Sequence, residues 1–328
     1  MGAPAGANRF WQLFRLPAGS TRWVLATPPD VATNGALILA SRGGQALVTG
    51  IRPSLHLIYS PITATSDGGK TWTSSSPDPG LAGVPDALAA GPAGQLLALG
   101  TDGQANLSSH GGTGWTKLVT TGSLAATAAG RACGLQALTA AAYNPAGAPL
   151  LGGRCARPGV AGIFAYHNGA WQAAGPALPP PLAARTGQVL RLTSTGTGDV
   201  AVLQAGQGSG ARVLAAWTAD HGKHWTLSPP LPLAARHILS TALDSSGSIA
   251  LTLTGRTAVA IAGPGTQWKS LPFLPSGRTV TLAFRPDGGL DALAADGSDM
   301  TSWQLDSRHA RWTKVQALKV PIQYGSSS

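Results

Sequence analysis

Every carboxylate side chain in this 328-residue protein is an aspartate, with thirteen Asp and no Glu. Hydrolysis of a glycosidic bond needs two carboxylates at one site, one to exchange a proton and one to attack or to activate water. Asp296 and Asp299 share an Asp-Gly-Ser-Asp loop and could serve in principle, but that sequence reads better as a β-turn. Asp67 and Asp220 belong to a repeated octapeptide, Thr65-Ser-Asp-Gly-Gly-Lys-Thr-Trp72 and Thr218-Ala-Asp-His-Gly-Lys-His-Trp225. In each copy the Asp can accept from turn amides, Gly69 or Gly222 can take a positive φ, and Trp72 or Trp225 anchors the next strand. Thr65, Asp67, Gly69, Trp72 and Thr218, Asp220, Gly222, Trp225 therefore read as structural groups of a hairpin turn.

Other reactive residue types are dispersed. Five of the seven histidines (110, 167, 221, 224 and 309) fall in or beside such turns in different repeats, which is no arrangement for a shared metal. Two cysteines without suitably spaced histidines make no zinc site. Asp102-Gly-Gln and Asp287-Gly-Gly lack the run of oxygen ligands of a calcium loop. There is no nucleophile elbow and no phosphate loop, so neither metal nor cofactor is expected. Cys133 and Cys155 flank a strand, a turn (Asn144-Pro-Ala-Gly147) and a strand, which sets them face to face on neighbouring strands. A disulfide and an oxidising compartment follow, with two buried free thiols as the alternative.

The net charge is +10, with 17 Arg and 6 Lys, a balance that attracts anionic glycans, acidic proteins or phospholipid surfaces. A GC-rich genome would also enrich Ala, Gly, Pro and Arg. The basic residues are not interleaved with base-stacking aromatics, and no nucleic-acid-binding motif is present, which excludes nucleic acid as a partner. No apolar run approaches the roughly 18 residues of a membrane span. The N-terminal Met-Gly-Ala-Pro-Ala-Gly-Ala-Asn has neither the basic nor the apolar region of a secretory signal, so an extracytoplasmic location implies a signal or anchor absent from this chain. The cytoplasm is the alternative, and a monomer is expected.

The elements that must position these residues are strands. Gly (44) and Pro (25) interrupt the chain too often for long helices, and apolar runs such as 36–40, 95–99 and 249–253 are short and bounded by Gly or Ser. Seven of the ten tryptophans, Trp23, Trp72, Trp115, Trp171, Trp225, Trp268 and Trp312, recur at intervals of 43 to 56 residues. Between markers the pattern is strand, turn, strand, loop, strand, then the turn and its Trp: four strands per repeat. Strands are expected near 36–40, 45–49, 56–60 and 71–74 in the first full repeat, and near 279–284, 290–294, 300–304 and 312–316 in the last. A linker also recurs, as Pro181-Leu-Ala-Ala-Arg185 and Pro232-Leu-Ala-Ala-Arg236.

The octapeptide resembles the Asp-box, or BNR, repeat of sialidase-like β-propellers, in which it joins the third and fourth strands of a blade. The resemblance implies an all-β propeller filling residues 1–328 as one domain. Six complete blades are closed into a seven-bladed ring by segments 1–35 and 318–328, with six blades as the alternative. The same broad group includes photosystem-assembly-type propellers. Phe14-Arg15-Leu16-Pro17 resembles the motif that opens sialidase catalytic domains, and an exo-sialidase-like hydrolase is the alternative function. Only Arg15 carries over, because the family's Glu is missing. Tyr59 and Tyr166 fall in third strands, where packing is the default, and the other tyrosines are Tyr143 and Tyr324. The favoured function is a non-catalytic binding or assembly scaffold. Its ligand face would lie opposite the boxes, where the loop assignment puts Arg52, Arg154, Arg157, Arg185, Arg236, Arg256 and Arg278 beside Asp30, Asp86, Asp102, Asp296 and Asp299. An anionic glycan or protein is the expected partner.

Overall fold

Short apolar strands bounded by turns fold, in a computed structural model of the chain, into six successive four-stranded antiparallel units, the third and fourth joined in one sheet. The structure describes residues 12–15, 17, 20, 22–29, 31, 36–42, 45–51, 62–75, 81–82, 84, 86–109, 112, 114–233, 236–255, 257–274, 279–285, 287–296, 299–306 and 311–319. The first unit comprises Ala36–Arg42, Gln45–Ile51, Ile62–Thr65 and Thr73–Ser75, and the second Leu88–Ala90, Leu96–Leu99, Gln104–Ser108 and Thr116–Thr120. The third is Leu135–Tyr143, Pro149–Pro158, Gly162–His167 and Ala170–Ala173, followed by Thr186–Ser194, Asp199–Ala205, Arg212–Thr218 and Thr226–Leu227 in the fourth. Ile238–Leu243, Ile249–Leu253, Thr257–Ile261 and Lys269–Ser270 form the fifth, and Thr279–Phe284, Leu290–Asp296, Asp299–Asp306 and Arg311–Lys319 the sixth. No described helix is long and apolar enough to cross a membrane.

The core is laid down between units. Along Asp199–Ala205, Val200 and Val202 pack into a cluster shared with the fifth unit through Ile249 and Leu251. Ala201 and Leu203, on the other face, pack into a cluster shared with the third through Leu150 and Ile163. A strand buried on both faces reads as a continuous apolar run, which is why these segments lack polar alternation. Three marker tryptophans fasten each unit to the one before it. The Trp225 indole N–H donates to Ala174 O (2.7 Å), that of Trp268 to Pro229 O (3.0 Å), and that of Trp312 to Pro272 O (3.2 Å). Each acceptor lies just beyond the outermost strand of the preceding unit.

The sequence-based strands are reproduced closely in the sixth unit. In the first unit the third strand lies at Ile62–Thr65, after the expected 56–60, which falls outside the described residues along with Tyr59. Two short helices, Thr121–Ala125 and Ala128–Cys133, were not anticipated. Thr120 and Thr127 cap them by accepting from Ser123 N and Gly130 N. Cys133 thus ends a helix and does not sit on a strand. It is nevertheless bonded to Cys155, because Leu135 pairs in register with that residue. A two-stranded hairpin, Phe14–Arg15 with Val24–Leu25, precedes the first unit.

Candidate functional site

Both octapeptides fold as hairpin turns. Asp67 accepts from Lys70 N (2.9 Å), Thr71 N (3.0 Å) and Thr71 Oγ1 (2.6 Å), while Gly69 N donates to Thr65 Oγ1 (3.0 Å). Asp220 accepts from His224 N (2.9 Å) and pairs with His224 Nδ1 (2.6 Å). These bonds, led by the Thr71 hydroxyl for Asp67 and by the His224 amide for Asp220, hold both carboxyls far below their ordinary range. His221, at φ 58°, and Gly222, at φ 88°, make the second turn possible. In the fourth unit the turn between first and second strands lies on the same side, since a Cβ on Gly198 would meet Thr218 O and Ala219 Cα of the octapeptide.

On the other side, turns between second and third strands meet the linkers between units. Gly159 N donates to Arg185 O (2.9 Å), and Thr254 N donates to His237 O (3.0 Å). Four of the seven arginines singled out in the sequence are described: Arg154 and Arg157 lie in the second strand of the third unit, Pro149–Pro158, and not in a loop, whereas Arg185 and Arg236 lie in linkers. Arg154, Arg157 and Arg236 are exposed. Arg185 is half-buried and directed inward, its Nη1 donating to Gly210 O (2.8 Å). Arg52, Arg256 and Arg278 lie outside the described residues, as does Asp30. The recurring linkers form matching turns, with Arg185 N bonded to Leu182 O (2.9 Å) and Arg236 N to Leu233 O (2.8 Å). Leu182 and Leu233 are buried, so the repeated motif anchors the chain. Arg15 packs beside Gly69 of the first octapeptide and is not among the residues that line the cavity described below.

First strands of five units surround a cavity of about 300 Å³. Its wall holds Asp86, which the loop assignment had set on the surface; the residue is only 8% exposed. Asp86 O accepts from Ala141 N of the third unit (3.1 Å). Its carboxylate accepts from Leu192 N of the fourth (2.7 Å) and pairs with Arg191 Nη1 (3.1 Å). One residue therefore ties three consecutive units. Burial raises the Asp86 carboxyl above its ordinary value, against the pull of Arg191 and the Leu192 amide. The available signal was a lone charge within an otherwise apolar first-strand segment, seen in both Val84-Pro-Asp-Ala-Leu88 and Val189-Leu-Arg-Leu192. The Tyr143 ring packs in the cluster between second and third units, with its hydroxyl buried and without a hydrogen-bond partner among the described residues; burial also raises its ionisation.

Among the described residues no group of three or more His, Cys, Asp or Glu could hold a metal ion. No family model and no curated protein matches the chain. Solved structures do. YCF48 from Cyanidioschyzon merolae is similar at 15% identity over 90% of this chain and 95% of that one, with a TM-score of 0.52. SapL1 lectin, in complex with alpha methyl fucoside, matches at 14% identity over 89% and 98%, TM-score 0.51. A GH74 xyloglucanase from Xanthomonas campestris matches at 12% identity over 98% of this chain and 58% of its own, TM-score 0.60. These are β-propellers, and at such identities the likeness establishes a shared fold of antiparallel four-stranded sheets and nothing narrower.

Proposed function

We propose that the protein is a non-catalytic Asp-box propeller that acts outside the cytoplasm as a binding or assembly scaffold. It would grip an anionic glycan or protein on the face carrying Arg52, Arg154, Arg157, Arg185, Arg236, Arg256 and Arg278. The observation that carries this reading is that Arg154, Arg157 and Arg236 stand exposed, the first two near the end of the second strand of the third unit and the last in a linker, with no carboxylate paired to them among the described residues. Hydrolysis is the weaker reading. Asp86, the only carboxylate in the described wall of the cavity, is already engaged by Arg191 and Leu192 N, whereas a hydrolase needs two available carboxylates. The disulfide favours an oxidising compartment. Among structures of the same fold, a lectin binding a fucoside illustrates binding without hydrolysis.

Residues 1–328 are read as one domain of seven blades, closed by segments 1–35 and 318–328. The N-terminal hairpin supports this. Ala26, three residues after Trp23, stands 3.7 Å from where a Cβ on Gly69 would lie, and Ala174, three after Trp171, stands 2.8 Å from the equivalent point on Gly222. The hairpin thus meets the first unit as the third meets the fourth, as the outer half of a preceding blade would. The test of function is a panel of acidic glycans and fluorogenic glycosides run on one preparation across a salt series. Salt-sensitive binding without turnover is expected, weakened by Arg154→Ala, Arg157→Ala and Arg236→Ala together; glycoside turnover, or no binding by the parent, overturns the reading.

A further inference from the structure

The disulfide joins the two pieces of chain that carry exposed arginines on the third unit. Cys133 ends the helix that bears Arg131, and Cys155 lies in Pro149–Pro158 between Arg154 and Arg157; all three arginines are exposed. The sulfurs themselves are buried, packed so closely against Gly162 that a Cβ there would meet them at 2.7 and 2.9 Å. Beside them Ala156 N donates to Gly134 O (2.9 Å). The Arg157 stem packs against the helix end, with Cγ 3.3 Å from the Cβ position of Gly134. Arg131 Nη1 donates to Ala126 O, which directs it along the helical segment. Among the described residues no carboxylate pairs with any of the three; Asp102, at the far end of the helical segment, is engaged by Gln104 N.

We propose that this seam is the centre of the ligand surface, that it takes a polyanionic glycan, and that the Cys133–Cys155 bond holds its cationic groups in register; this rests on the binding reading above. A glycan is favoured over an acidic protein because protein interfaces centre on buried apolar or aromatic anchors. None of the large exposed apolar residues, Val24, Leu25, Leu39, Leu239, Phe273 and Val315, belongs to the helix or to this strand. A charged, bidentate guanidinium suits sulfate and carboxylate groups spaced along a polymer.

The experiment measures binding of the oxidised full chain to immobilised heparin, polygalacturonate and poly-L-glutamate over a salt series. Binding to one or both glycans that weakens with salt is expected. Arg154→Ala with Arg157→Ala should weaken it by about tenfold or more, while the charge-matched Lys269→Ala with Lys314→Ala leaves it unchanged. Cys133→Ala with Cys155→Ala, or reduction of the parent, should weaken binding by about threefold or more at equal salt, from lost preorganisation. Tryptophan fluorescence identifies any variant that fails to fold, and the exposed arginine pair keeps the test valid if the cysteine variant does. Preference for poly-L-glutamate makes the partner an acidic protein and overturns the glycan assignment. Binding that depends on Arg236 but not on Arg154 and Arg157 overturns the location alone, and a parent that binds none of the polymers overturns the general reading with it.

Discussion

Replacing Asp86 tests whether the cavity wall is held by charge or by hydrogen bonding. Asp86→Ala removes the acceptor of Leu192 N, a buried amide, and the partner of Arg191, whose side chain is 27% exposed and can turn to water. An orphaned buried amide costs about 1–3 kcal/mol, and with the lost pair the variant should lose about 2–4 kcal/mol. In a chain of this size that is a fall in Tm of about 3–6 °C. Asp86→Asn keeps an acceptor for Leu192 N and gives up only the charge. Burial raises the native carboxyl above its ordinary value, so giving up the charge removes a desolvation cost along with the pair to Arg191. Asn should therefore lie within about 1 kcal/mol of the parent at neutral pH. Linkage adds a second readout. With the native value raised, Asp86's contribution is full below the ordinary carboxylate value and is lost as pH rises through the native one. The parent's Tm should carry that decline and the Asn variant should not. Thermal unfolding followed by tryptophan fluorescence across pH measures both effects. If Asn costs as much as Ala at neutral pH, the charge holds the wall and the reasoning fails; if Ala costs less than about 1 kcal/mol, the tie between units is not structural.

Cys133→Ala with Cys155→Ala opens a loop whose ends are 22 residues apart and should lower unfolding free energy by about 3 kcal/mol, seen as a lower urea midpoint matched by the reduced parent. Tyr143→Phe deletes a buried hydroxyl without a partner and should raise stability by about 1 kcal/mol. Gly91→Ala, which sets a Cβ 2.9 Å from the same ring, should cost about 1–3 kcal/mol by the same unfolding assay. Asp67 and Asp220 have native values below the ordinary one, so their contribution is present above the ordinary carboxylate value and is lost as pH falls through the native one. Asp67→Ala should speed hydrogen exchange at the amides of Lys70 and Thr71 and leave His224 unaffected.

What was legible in the sequence was local or periodic. The box octapeptides specify their own turns, because Asp67 and Asp220 find their partners within four residues. The tryptophan spacing marks repeats, and in the fourth, fifth and sixth units the indoles do the same task; the sixth unit's strands follow from its alternation and turns. The helices at Thr121–Ala125 and Ala128–Cys133 were missed because each is shorter than two turns; their signals were the caps Thr120 and Thr127. Arg185 read as a surface charge because nothing local reveals that it turns toward Gly210. Asp86 and Leu192 are 106 residues apart, and their meeting depends on how three units are rotated about the cavity, which no single segment encodes.

The tryptophan fastenings have a direction. At Trp225, Trp268 and Trp312 the donor always belongs to the later unit and the acceptor to the earlier one. During synthesis, the last strand of a finished unit stays open until the next tryptophan leaves the ribosome. At these three seams the newer repeat is thus the latch of its predecessor, and they are sealed in the order in which the chain is translated.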